Sequence, residues 1–263
     1  MKKIIRSLSI GNSFSQDALE YAHSIAAADG IDWETVNMDI GGCTLERHWK
    51  SFVEDIPDYE YEFNGVLLRE GVVLREVLQD GVYDIITLQQ GSHMSGKPES
   101  YQPYLVDLIT EIRKFQPEAR LYLQETWAYD WACQYPYFAD YNKDQHEMYR
   151  RIRDAYTKAA DSVGAGIIPV GDVIQHIRDT VPGFDTRNGG RTLNYEDGFH
   201  LSLPYGRFLN SLVWYTVLFG ADVRKNPYIP KTAGDTELIR QLKTLVYEYF
   251  HKSETKESCK NGR

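Results

Sequence analysis

Apolar positions along the chain fall alternately into short strand-like runs and helical stripes. The first run, residues 4–10, stops abruptly at Gly11-Asn12-Ser13, and a helix-compatible segment begins at once. Ala18, Leu19, Ala22, Ile25 and Ala26 give that segment helical spacing over residues 15–29. Residues 33–40 alternate as a second strand and run into Gly41-Gly42-Cys43; a helix is predicted over 45–53. Residues 59–68 alternate around Asn64-Gly65, a strong hairpin signal, and are expected to form a small β excursion outside the main sheet. A short helix over 72–79 leads to a third core strand at 84–88. A helix over 104–115, stopped by Gln116-Pro117, leads to a fourth strand at 119–125. A long helix with a charged face spans 146–163, followed by a fifth strand at 166–170 and a short helix at 171–178. The polar loop 181–196 and closing helices over 203–220 and 236–250 complete the pattern. The polar tail, residues 251–263, is expected to be disordered. Five strands alternating with helices argue for a parallel sheet between two helical layers, a three-layer α/β/α sandwich forming one domain over residues 1–250.

Composition narrows the function classes. A chain of 263 residues, 42% hydrophobic and 25% charged, can bury one large core. A net charge of −9 argues against a nucleic-acid partner. No apolar run approaches the roughly 20 residues that cross a bilayer, so no membrane partner is expected. Lys2-Lys3 precedes a short apolar run, but Arg6 interrupts it and the Ser13 turn follows, so no signal peptide is read there. The expected location is the cytoplasm, or the periplasm if an export signal has been processed. Three widely spaced cysteines (Cys43, Cys133, Cys259) give neither a disulfide framework nor zinc spacing. The seven histidines show no ligand spacing, which disfavours a metal-dependent phosphatase or phosphodiesterase; no metal or cofactor is expected.

The candidate chemistry lies at the two ends of the chain. A strand–turn–helix junction lifts Ser13 to the carboxyl edge of a sheet, beside the positive end of a helix. The plainer alternative is that Ser13 or Ser15 merely caps that helix. Far downstream, Asp197 and His200 stand three apart on a turn before a long apolar helix. A serine hydroxyl needs a base to take its proton, and the base needs a partner to hold its tautomer. One short Asp-x-x-His segment supplies both.

Gly11-Asn12-Ser13-Phe14-Ser15 resembles the Gly-Asp-Ser block that opens the SGNH (GDSL-type) hydrolases, and Asp197-x-x-His200 resembles their closing block. The resemblance brackets nearly the whole chain, with Asn12 in place of the usual Asp. It implies a flavodoxin-like strand order and a serine esterase with Ser13 as nucleophile, His200 as base and Asp197 as its partner. It also implies an oxyanion hole built from the Ser13 N–H and a glycine N–H, here Gly42 or Gly41. The family's Gly-x-Asn-Asp block is missing. At the corresponding strand end stand Gln89-Gln90-Gly91-Ser92-His93, where Gln89 is the expected third donor and His93 its substitute if register slips. Asn12, Gln90 and His93 are expected near the substrate.

Residues 126–141 follow a strand's carboxyl end and are crowded with aromatics. Trp127, nearest the strand, is the best candidate to touch a ligand. With no long apolar lid helix in view, this loop favours a small ester, an O-acetyl group on a carbohydrate, over a long acyl chain. Two other readings are a lipase or thioesterase, and a carbohydrate-binding protein that has lost its chemistry with the missing Asn. Assembly state is not legible.

Overall fold

The computed structural model describes residues 3–258. Its centre is one seven-stranded sheet of order β4-β3-β2-β1-β5-β6-β7. β1 (Ile5–Gly11), β2 (Trp33–Asp39), β5 (Ile85–Leu88), β6 (Arg120–Gln124) and β7 (Gly166–Ile168) run parallel, as the alternating pattern requires. β1, the first strand in sequence, lies in the middle, so its carboxyl end is flanked by β2 and β5. That is the switch point at which open α/β sheets place their sites.

The hairpin corrects the expectation of five strands and of an excursion outside the sheet. β3 (Tyr59–Phe63) pairs antiparallel with β2, and β4 (Val66–Val72) continues the sheet beyond it. The Asn64-Gly65 turn forms as read, with φ of 52° and 77°. Without the hairpin β2 would be an edge strand with a row of open backbone groups, which β3 satisfies. The hairpin signal is local and could not show where the hairpin docks.

Helices cover both faces. α3 (Leu45–Val53) and α5 (Tyr104–Phe115) match their expected bounds; Thr44 caps the first and Pro117 follows the second. α4 (Leu74–Asp80), α6 (Gln145–Val163), α7 (Val170–Thr180) and α8 (Tyr205–Phe219) lie close to theirs. The single helix expected over 15–29 is instead two, α1 (Ser13–Leu19) and α2 (Ala22–Ala28), broken at Glu20-Tyr21. α9 (Thr236–Ser258) corrects the disordered tail, continuing eight residues past the expected stop; residues 259–263 lie outside the described residues. Leu8 and Ile10 of β1, Ile86 and Leu88 of β5, and Leu209, Leu212 and Val213 of α8 are among the side chains sealed in the core. Burial of each such side chain stabilises the fold by roughly 1.5–3 kcal/mol. Among the described residues no helix is long and apolar enough to cross a membrane.

Candidate active site

The turn after β1 is built to leave the Ser13 hydroxyl unspent. Asn12, not a serine, is the N-cap of α1: its Oδ1 accepts from the Phe14 N–H at 3.1 Å. Its Nδ2 donates to Cys43 O at 2.9 Å, and the Ile40 N–H donates to Gly11 O at 3.2 Å. These two bonds hold the Gly41-Gly42 turn against the Ser13 turn. Ser15 Oγ lies 2.7 Å from Asn12 O and 2.8 Å from Asn37 Oδ1, so the second serine is consumed in structure. Gly11 is required here, because a Cβ would come within 2.5 Å of Ser15 Oγ. The Ser13 N–H at the start of α1 has no acceptor among the described residues.

The second component arrives from 187 residues away. His200 Nε2 lies 2.8 Å from Ser13 Oγ, and His200 Nδ1 lies 2.7 Å from Asp197 Oδ2. Asp197 Oδ1 accepts from the backbone N–H groups of Phe199 and His200 at 2.9 and 3.0 Å, which fixes the carboxylate against the ring. Nδ1–H donating to Asp197 leaves Nε2 as an acceptor facing the hydroxyl.

The His200 segment is tied down on both sides. Asp130 N–H donates to Gly198 O at 2.7 Å, Trp127 Nε1 to Phe199 O at 2.7 Å, and Tyr195 N–H to His200 O at 2.9 Å. Asp17, fully buried on α1, accepts from the Leu201 N–H at 2.8 Å. Arg207 Nε lies 2.9 Å from Asp17 Oδ1 and 3.3 Å from Leu201 O, so one ion pair grips both polar groups of the residue after His200. Burial pushes Asp17 up to about 7 despite the opposing pull of Arg207. Upstream, the buried Arg178 donates to Ala128 O and Asn194 Oδ1, and the Thr186 and Thr192 hydroxyls donate to Asp130. Neither Asp17, Arg207 nor Arg178 stands out in the sequence. The one available signal for Asp17 is its place one turn after Ser13, on the same helix face.

Several expected ligand contacts move from the substrate to the scaffold. Asn12 is buried and spent on the cap and on Cys43. Gln89 is buried with its amide nitrogen 2.6 Å from Asn12 Oδ1; turned over, the amide would donate to Gln124 Oε1 at 2.8 Å and accept from Ser15 N–H at 3.1 Å. Either way it braces the turn from behind and offers no donor to an oxyanion. Gln90 accepts from the N–H groups of Leu45 and Gly91 and donates to Ser100. Trp127 has no exposed surface; its ring stacks on Phe14 at 4.0 Å, close behind His200. A strand end in sequence does not distinguish a side chain facing the cleft from one folded under it. Gly42 is exposed in a turn closed by the Cys43 N–H on Ile40 O, at φ of 64°. His93 is half-buried, and burial together with Lys97 holds its imidazole below the usual range.

With this geometry, similarity to known proteins becomes informative. A family model described as "Domain of unknown function (DUF4886)" matches residues 6–246. The chain belongs to the DUF4886 family. A DUF4886 protein of known structure from Bacteroides uniformis is 34% identical, with 95% of this chain and 96% of that one covered and a TM-score of 0.86. More distant likenesses show the same fold. A proposed SGNH hydrolase from Slackia heliotrinireducens has 22% identity and a TM-score of 0.56, covering 82% of this chain and all 100% of that one. A variant of Axe2, an acetyl-xylooligosaccharide esterase from Geobacillus, has 14% identity and a TM-score of 0.52, covering 82% and 95%. The chain matches no curated protein. This DUF4886 chain therefore has the α/β fold of SGNH hydrolases. Among its described residues no group of three or more His, Cys, Asp or Glu is placed to hold a metal.

One acid beside the site carries a stability prediction. Asp39 ends β2 in register with Gly11, is buried, and its Oδ1 has no hydrogen-bond partner among the described residues. Burial, reinforced by Glu62 and Glu60, raises it from 3.8 to about 7. The folded state thus holds a proton that the unfolded chain releases, and stability falls as pH rises from about 4 through 7. Asp39→Asn removes that slope. It should melt a few degrees above the unsubstituted protein at pH 8, about 2–4 °C for each kcal/mol, with the difference shrinking toward zero below pH 4. A pH-independent difference in thermal melts contradicts this.

Proposed function

We propose that this chain is a serine esterase acting by two-step acyl transfer. The observation that carries the reading is the continuous row from Asp197 Oδ2 through the His200 ring to Ser13 Oγ, with contacts of 2.7 and 2.8 Å. As Ser13 Oγ attacks an ester carbonyl carbon, His200 Nε2 takes the hydroxyl proton and Asp197 stabilises the imidazolium. The tetrahedral intermediate collapses with transfer of that proton to the leaving alcohol, giving an acyl-serine. Water, deprotonated by the same imidazole, then releases the acid. The open Ser13 N–H, with the N–H of Gly42 or Gly41, would receive the oxyanion; each such donor is worth about 3 kcal/mol in the transition state. Both are backbone groups, so the absence of the family's Asn and the inward turn of Gln89 leave the reaction with donors.

The substrate we propose is a small ester, an O-acetyl group on a carbohydrate. Half-exposed aromatic and polar groups beside His200 support a polar alcohol portion, and one protein of the same fold is an acetyl-xylooligosaccharide esterase. Initial rates on 4-nitrophenyl acetate, butyrate, octanoate and palmitate test the acyl side. Acetate should give the highest kcat/KM, with a steep fall beyond butyrate. A preference rising with chain length would overturn the acetyl assignment, and no turnover of any ester would overturn the esterase.

A further inference from the structure

Beyond His200 the surface carries a row of rings. The imidazole of His200 lies 4.4 Å from the Phe199 ring, Phe199 stacks on Tyr135 at 5.0 Å, Tyr135 meets Tyr137 at 5.3 Å, and Tyr137 meets His93 at 4.8 Å. Tyr137 is 45% exposed, and Phe199, Tyr135 and His93 are partly exposed. The row rests on Tyr129, which is fully buried, touches both Phe199 and Tyr135, and bonds through its hydroxyl to Ser92 Oγ at 2.8 Å. Its far end returns toward the Ser13 turn. Gly91 lies so close under the His93 ring and Cys43 O that an added Cβ would meet them at 3.2 and 3.0 Å, and Cys43 O is bonded to Asn12. The row of rings thus starts at His200 and ends beside the turns that hold Ser13.

We infer that this row, Phe199–Tyr135–Tyr137–His93, is the binding subsite for the alcohol portion of the ester, and that this portion is an oligosaccharide rather than a single sugar. The inference rests on the esterase reading for the position of the scissile bond, and on the row's own chemistry for the rest. Flat rings, partly exposed, offer apolar faces to the C–H surface of a sugar ring. Their edges are polar: the hydroxyls of Tyr135 and Tyr137 and the ring nitrogens of His93 have no hydrogen-bond partner among the described residues. An acyl chain laid over them would strip water from those groups and return nothing, at a cost of about 1–3 kcal/mol for each group left unpaired. A polyhydroxylated ring satisfies both faces and edges. The successive ring-to-ring steps of 4.4, 5.0, 5.3 and 4.8 Å trace a path along the surface longer than one sugar unit covers.

The test compares acetylated xylo-oligosaccharides of increasing length with vinyl acetate, a substrate too small to reach the row. For the unsubstituted protein, kcat/KM should rise with each added sugar until the row is filled. Tyr137→Ala should reduce the preference for the acetylated tetramer over vinyl acetate roughly tenfold, mainly through KM, and Tyr137→Phe should recover part of it. A monomer hydrolysed as well as the tetramer, or a preference untouched by Tyr137→Ala, overturns the inference while leaving the esterase intact. Binding separates the two ideas further. Calorimetric titration of the acetylated tetramer into Ser13→Ala should give a Kd about tenfold tighter than into Ser13→Ala/Tyr137→Ala. No binding overturns the subsite. Binding with no ester turnover by the unsubstituted protein sustains the subsite and overturns the esterase.

Discussion

Ser13→Ala is expected to lower kcat on 4-nitrophenyl acetate by a factor of about 10⁴ or more while leaving the melting temperature nearly unchanged. The size follows from the proposed role: without the oxygen no acyl-enzyme would form, and only binding and the oxyanion donors would remain. The small stability effect follows from the surroundings. Asn12 caps α1 and Ser15 makes the buried bonds, so Ser13 Oγ loses only its contact with His200. His200→Ala should cost a similar factor, and the double variant little more, because the two act as one unit. Steady-state rates and thermal melts of the three variants decide the matter. Residual activity above about one part in a hundred in Ser13→Ala would remove Ser13 from the chemistry.

The second large effect is expected far less obviously, at Asp17. Its carboxylate is fully buried, accepts from the Leu201 N–H and faces Arg207, while Arg207 also reaches Leu201 O and pairs with Glu20 at 2.8 Å. Ser13 and Asp17 lie one turn apart on α1, so the helix that carries Ser13 also holds the residue after His200. Removing one partner of a buried pair typically costs about 3–5 kcal/mol, and Asp17→Ala should lose stability on that scale. Asp17→Asn keeps the shape and an acceptor oxygen. Its kcat should fall between about tenfold and a hundredfold with KM little changed, as expected for a base displaced by a fraction of an ångström up to 1 Å. Thermal melts and the split between kcat and KM distinguish positioning from mere loss of fold. An Asp17→Asn protein with full kcat would contradict the assignment.

What the sequence made legible was chiefly local. α3 and α5 are bounded by Thr44 and Pro117, signals that act within a few residues, and both helices stop where expected. The parallel core follows from alternation of strands and helices, and Ser13, Asp197 and His200 meet at the edge where such sheets place their sites. What was not legible depends on contacts between distant segments. The hairpin's docking on β2 is decided by an open sheet edge, which no local pattern reveals. Glutamines and a tryptophan at strand ends look the same in sequence whether they face a cleft or fold beneath it. Gln89, Gln90 and Trp127 fold beneath it and hold the turns. The Asp17–Arg207 pair joins positions 190 residues apart by number, so neither residue announces the other. The aromatic loop is expected to offer Trp127, but that ring is buried, whereas Tyr135 and Tyr137, farther along the same loop, reach the surface and join Phe199 from another segment.

The central claim is that Ser13 is made nucleophilic by His200. Treating the purified protein with a fluorophosphonate and mapping the adduct by peptide mass spectrometry tests it most directly. The account predicts a single stoichiometric phosphonyl adduct on Ser13, lost in Ser13→Ala and strongly slowed in His200→Ala. Labelling at another residue, or none under conditions that label a known serine esterase, would contradict it.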